Sequence, residues 1–188
     1  LQAGVKAAEA ALVVEEDELY IGIVNYDVNS ANGQQRELGF RQTVEQDPRV
    51  KNITTINVLS TTEDARAGAK EMLLSDSRIN VVVTFNEWTS LGVGWAIRDL
   101  NRADRIQVVA FDSNVVSVGM LETGEVDALI VQNPYAMGYL GVETAANLMN
   151  GQTGGPSVVD TATTIVTREN MYEPESQKIL FSFEEEGY

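Results

Sequence analysis

Polar side chains with planar hydrogen-bonding groups recur in this chain directly after short apolar runs. Asn25, Asp27 and Asn29 follow Tyr20–Val24, and Arg36 comes soon after. Asn86, Glu87 and Trp88 follow Val81–Phe85, Asp112 follows Gln107–Phe111, and Gln132 and Asn133 follow Asp127–Val131. Amides, carboxylates and a guanidinium present fixed forks of donors and acceptors. Such forks suit a polyhydroxylated ligand, whose vicinal hydroxyls each donate and accept. An indole such as Trp88 can cover the apolar face of a ring. Each residue also has a structural role open to it. Asp112 and Asn86 can cap helices, and Arg36 can be a solvated helix residue. Gln132 can belong to a turn before Asn133-Pro134, and Trp88 and Trp95 can be core residues of one helix. The coincidence of polar residues at four strand ends favours a shared site.

Strand-like and helix-like stretches alternate along the chain to position these groups. Helical patterns occupy Gln2–Val13, Gly33–Glu45, Glu63–Leu74, Thr89–Leu100, Val115–Leu121 and Pro134–Met149. In the second, Leu38, Phe40 and Val44 offer a core face. Thr61 or Thr62 precedes Glu63 and Asp64 as a cap, Pro134 opens the sixth helix, and Gly151 stands just past its end. Strand-like runs are Tyr20–Tyr26, Ile53–Leu59, Val81–Phe85, Gln107–Phe111, Asp127–Val131 and Val158–Val166. This alternation predicts a doubly wound parallel sheet, and continuous apolar strands predict burial on both sheet faces. In such sheets ligands bind beyond the carboxyl ends of the strands, where the polar residues fall. Gly151–Pro156 reads as a turn. The segment from Glu169 to Tyr188, with its acidic Glu184–Glu186, reads as a surface tail.

Composition removes whole classes of chemistry. The 188 residues carry 13 basic and 28 acidic side chains, a net charge of −15, and contain neither cysteine nor histidine. Disulfides, thiolate or imidazole metal sites, cysteine nucleophiles and serine–histidine triads are therefore excluded. The charge argues against nucleic acid or an anionic membrane as partner. Neither a dinucleotide nor a P-loop phosphate motif occurs, and Gly92-Val93-Gly94 reads as packing glycines within a helix. No cofactor or metal is expected. A carboxylate pair for glycoside hydrolysis stays open, but Glu87 and Asp112 follow different strands, and acidic residues are frequent enough for a chance pair. The first residues lack the pattern of a signal peptide and an initiator Met, so a fragment or processed chain that starts inside a helix is expected.

The strings VVAFDSN and LETGEVDALIVQNPYAMGYLGVETAANLMNGQ, followed by VDTATTIVTREN, resemble the C-terminal part of type 1 periplasmic sugar-binding proteins. NGQQRELGF and VVVTFNEWTSLGVGWAIRDLN extend the resemblance, which covers about Tyr20 to Asn170. That family is related to ribose-binding protein and to the effector domains of lactose-repressor-type regulators. The resemblance implies a Rossmann-like, flavodoxin-like α/β lobe whose ligand contacts fall on Arg36, Asn86, Asp112 and Gln132, with Trp88 two residues beyond Asn86 as a further contact. The aromatic ring that relatives often carry between the second strand and third helix is missing at Leu59-Ser60-Thr61-Thr62.

The resemblance also implies an organisation and a role. Residues 1–132 are expected to form the C-terminal ligand-binding lobe. Residues 133–157 are expected to form a helix belonging to an otherwise missing N-terminal lobe, with Met137, Leu140, Ala145 and Leu148 facing that lobe. Residues 158–188 return as a strand and tail. The implied function is that of the non-catalytic solute-binding component of an ABC sugar importer, periplasmic or anchored outside the cytoplasm as a lipoprotein. It would bind a monosaccharide or similar polyol by hinge closure around Asp112–Ser113 and Gln132–Asn133, and pass it to a permease. The alternatives are an effector-sensing domain of a lactose-repressor-type regulator or membrane sensor, and an enzyme using Asp112 on the same sheet.

Overall fold

In a computed structural model, residues 1–152, 155, 158–159 and 161–181 are described. Six strands form one sheet: β1 (Leu19–Tyr26), β2 (Val50–Val58), β3 (Val81–Thr84), β4 (Gln107–Phe111), β5 (Ala128–Gln132) and β6 (Thr163–Thr167), in spatial order β2-β1-β3-β4-β5-β6. The first five are parallel, and β6 runs antiparallel to β5, pairing Gln132 with Thr163 and Ala128 with Thr167. Mixed sheets of this kind, with one antiparallel edge strand, are common in doubly wound folds.

Alternate residues of each strand feed separate cores. Val82, Val108, Ala110 and Leu129 face α3 (Thr62–Ser75), α4 (Glu87–Leu100), α5 (Val115–Thr123) and α7 (Pro174–Leu180). Val81, Val83, Phe85, Val109, Phe111 and Ile130 face α1 (Gln2–Ala11) and α2 (Ala31–Val44). Both faces are dry, which is why these strands read as unbroken apolar runs rather than alternating ones. On α2, Phe40 and Val44 enter the core as their spacing predicts. Leu38 instead stays 43% exposed, because Gly39 is the residue of that turn facing α1, close against the carbonyl of Leu1.

Side-chain caps start the helices where the sequence places Ser, Thr and Asn. Ser30, Thr61, Asn86, Asn114 and Asn133 each accept a backbone N–H of the following turn. The glycine pair of α4 does pack: a Cβ at Gly92 would lie 2.5 Å from Ala65 Cβ, and one at Gly94 would meet Met120. Helix α3 therefore approaches α4 closely, and Asp99 joins them, bonded to Arg66 at 2.6 Å and Lys70 at 3.1 Å.

Those two cations hold the Asp99 carboxyl at about 2, well below its ordinary value. A depressed carboxyl stabilises the fold above its unfolded-state pKa, and that stabilisation is lost as pH falls through the folded value. Denaturation midpoints measured between about pH 5 and about pH 2 should therefore fall for the native protein and fall less steeply for Asp99→Asn.

Further expectations differ from the structure, among them the cap of α5, which is Asn114 rather than Asp112. The last strand begins at Thr163 rather than Val158, and Pro174–Leu180 is a helix within the stretch expected to be a tail. Its Leu180 and the preceding Met171 are buried against the α3–α5 side of the sheet. Helix α6 (Pro134–Met149) lies between β5 and β6 but has no buried residue. It covers neither sheet face, so the β5–β6 link is not a βαβ crossover and the right-handed parallel rule does not act on it. Residues 153, 154, 156 and 157 of the expected turn, residue 160, and residues 182–188 with the acidic end lie outside the described residues. Among the described residues no helix is long and apolar enough to cross a membrane.

Candidate functional site

The sheet order reverses at β1: β2 lies on one side of it and β3 on the other. Chains leaving the carboxyl ends of β1 and β3 then diverge to opposite faces and open a crevice. Arg36, on α2 after β1, reaches across that crevice. Its Nη1 donates to the carbonyl of Phe85 at the end of β3, and its Nη2 donates to Gln132 Oε1 at the end of β5, at 2.6 Å. Its guanidinium carbon lies 4.9 Å from the centroid of the Phe111 ring. Beneath it, Phe85 meets Phe40 and Phe111 edge to face, at 6.0 and 5.7 Å between centroids.

The helix that carries Arg36 is itself fixed. Buried Asn25 donates to Glu37 Oε2 at 2.7 Å and to the carbonyl of Gly33, while Glu37 Oε1 accepts from Arg41 at 2.8 Å and from Thr55. The strand ends are tied together by Ser90, fully buried on α4. Its hydroxyl lies 2.7 Å from that of Thr84 and accepts the backbone N–H of Phe111 at 2.9 Å.

Asp112 follows β4 with φ at 65°, a left-handed conformation that few non-glycine residues adopt. Its N–H still bonds the carbonyl of Ile130 at 3.1 Å. Burial pushes its carboxyl above the usual range, the Arg36 guanidinium pulls it back, Glu87 adds a further upward push, and the Glu87 N–H opposes that push. The result is an incompletely compensated acceptor beside a guanidinium, at the mouth of the crevice.

Asn86 caps α4, accepting from Thr89 N–H at 2.9 Å and donating through Nδ2 to Ser60 Oγ at 2.8 Å. Its capping role and a position at the sheet edge thus coexist. Trp88 is 49% exposed on the first turn of the same helix. Trp95 packs against the core with Arg98 over its ring. The structure therefore joins Arg36 to Gln132 directly, brings Asp112 within the electrostatic reach of Arg36, places Asn86 at a neighbouring strand end, and leaves Trp88 exposed on the first turn of α4. Asn25, read as a strand-end polar residue, is buried and serves α2 instead. Among the described residues no cluster of acidic side chains could hold a metal ion.

A family model described as "Periplasmic binding protein domain" matches residues 1–153. The chain belongs to this family. Among relatives of this periplasmic binding protein domain, the D-ribose/D-allose-binding protein of Pseudomonas aeruginosa is 28% identical over 150 residues, 78% of this chain and 47% of that protein. A carbohydrate transporter solute-binding protein from Agrobacterium radiobacter, solved in complex with D-arabinose, superposes with a TM-score of 0.91 at 26% identity, covering 95% of this chain and 62% of its own. The periplasmic component of an ABC-type sugar transport system from Hahella chejuensis gives 0.84 at 28%, covering 89% and 61%. The chain thus spans about half the length of the curated relative and somewhat over half that of the solved ones.

The aromatic floor went unread in the sequence. Phe85 and Phe111 each end an apolar run, and that position is the signal that marks them. The link between Glu87 Oε1 and Asn114 Nδ2, at 2.6 Å, has no such signal, because it joins the starts of two separate helices.

Proposed function

We propose that this chain belongs to the solute-binding component of an ABC-type sugar importer. It binds a monosaccharide or similar polyol at the carboxyl edge of the sheet, without catalysis. The observation that carries this reading is the convergence of Arg36 from α2 with Asp112 and Gln132 from the ends of β4 and β5 on one crevice over an aromatic floor. A guanidinium, a carboxylate and an amide together offer a sugar's hydroxyls both donors and acceptors. Asn86 lines the same edge, and Trp88 on the rim supplies the ring that the Leu59–Thr62 loop lacks. The names of the relatives, with D-ribose, D-allose and D-arabinose among them, support a sugar as ligand.

In this reading residues 1–132, with the return segment 158–188, form one lobe. Residues 133–157 belong to a second lobe, which agrees with the unburied state of α6. Closure of the two lobes turns about Asp112–Ser113 and Gln132–Asn133, and the closed form engages the permease. The site of action is outside the cytoplasm, in the periplasm or at a membrane anchor.

Calorimetric titration of the complete gene product with D-ribose, D-allose and D-arabinose tests the reading. Asp112→Ala or Gln132→Ala should weaken binding by about 1–3 kcal/mol, the usual cost of a lost buried polar contact. Binding of none of the three sugars, or affinities that neither substitution changes, would sink the assignment.

A further inference from the structure

The crevice carries a second carboxylate that the sugar-binding arrangement above leaves unused. Glu87 is the first residue of α4, and its backbone N–H supports the Asp112 carboxylate. An acid in the first turn of a helix is ordinarily just favourable there. Here it is also fastened from another element. Asn114 Nδ2 donates to Glu87 Oε1 at 2.6 Å, and Asn114 is itself locked. The Asn114 N–H donates to Ser117 Oγ at 2.9 Å, while Asn114 Oδ1 accepts from Val116 and Ser117, closing a capping box. Glu87 is therefore held towards the loop that bears Asp112, and cannot swing into solvent without breaking that bond.

Among the described residues, the charges acting on Asp112 are the Arg36 guanidinium and this Glu87 carboxylate. Arg36 already gives donors to the Phe85 carbonyl and Gln132. An incoming anion would thus meet two carboxylates and one cation, two of whose N–H donors are already engaged.

We propose that Glu87 is a specificity-determining residue, a fixed second negative charge beside Asp112 that admits neutral sugars and turns away sugar acids and sugar phosphates. The proposal rests on the sugar-binding reading. Like charges held within a few ångströms in a partly desolvated crevice repel by enough to change affinity at least tenfold.

The test titrates the complete gene product, native and Glu87→Gln, with D-ribose, D-arabinose and their 5-phosphates, and with D-glucose and D-glucuronate. Glutamine keeps an acceptor for Asn114 while removing the charge. The ratio of anionic to neutral affinity should rise about tenfold or more in Glu87→Gln. The native protein gives an independent readout that no folding defect can confuse. Raising salt from about 0.01 M to about 1 M shortens the screening length from about 30 Å to about 3 Å and should narrow the gap between neutral and anionic sugars. Neutral sugars binding with an unchanged ratio in the variant and no salt effect would overturn the role of Glu87 alone. No sugar binding to either protein would overturn the sugar-binding reading, and this proposal with it.

Discussion

Replacing Arg36 by alanine should lower sugar affinity about a hundredfold or more, equivalent to about 2.7 kcal/mol. The side chain is the structural keystone of the crevice. It donates to the Phe85 carbonyl and to Gln132, lies over Phe111, and draws the half-buried Asp112 carboxyl back towards ionisation. Hydrogen bonds involving a charged group are worth about 1.5–3 kcal/mol each, and both of these are partly shielded from water. Its removal also leaves the Gln132 amide oxygen and the Phe85 carbonyl without that donor. The loss thus adds misplacement of two neighbours to the missing contact.

Arg36→Lys should recover only part of the affinity, because a lysine is a point charge and cannot fork between two strand ends. Titration of the complete gene product with D-ribose, D-allose and D-arabinose checks both substitutions. An alanine variant within about threefold of the native affinity, less than 1.4 kcal/mol, would remove Arg36 from the site.

Truncating Phe85 to alanine should cost about 3–5 kcal/mol of folding stability, the range for large aromatic residues in a packed core. Its side chain is fully buried and makes edge-to-face contacts with Phe40 and Phe111, each pair worth about 0.5–1.5 kcal/mol beyond the area it covers. A typical domain is stable by only about 5–15 kcal/mol, so urea unfolding should show a large drop in midpoint. Phe85→Leu should lose less, since it fills much of the same space. The alanine variant should also bind sugar more weakly, because the Phe85 carbonyl anchors Arg36 and the collapse of the cavity moves it. A midpoint within about 1 kcal/mol of the native value would mean that the aromatic floor does not hold the strand ends.

The layered fold was legible because local patterns state it directly. Thr61 and Asn86 cap helices as read, through contacts that span only three residues, whereas α5 is capped by Asn114 rather than by Asp112. Val81–Thr84 and Gln107–Phe111 read as strands because a strand buried on both faces must be apolar throughout. The pairing of Gly92 with α3 was foreshadowed only as packing in general. Its partner, Ala65, is far away in sequence. Leu38 shows the limit of periodicity. Its spacing fits a core face, but a helix with few apolar residues leaves the rotation to its contact with α1, and Gly39 takes the buried position. The direction of β6 was likewise not local. It depends on whether α6 covers the sheet, and α6 does not.

The sequence by itself determined the element types, the Thr61 and Asn86 caps, the two-faced burial of the strands and the polar residues at their carboxyl ends. Each of these follows from spacing and side-chain chemistry within a few residues. The absence of histidine and cysteine likewise excluded whole chemistries before any fold was known. Only the tertiary structure decided what those residues do together. It placed Arg36 between Phe85 and Gln132, which lie 49 and 96 residues away along the chain. It turned Asn25 into a support for α2 and fastened Glu87 to Asn114. The physical reason is that strand order and helix rotation are set by packing the whole core, and a side chain's partners across a crevice follow from that packing rather than from its neighbours in sequence.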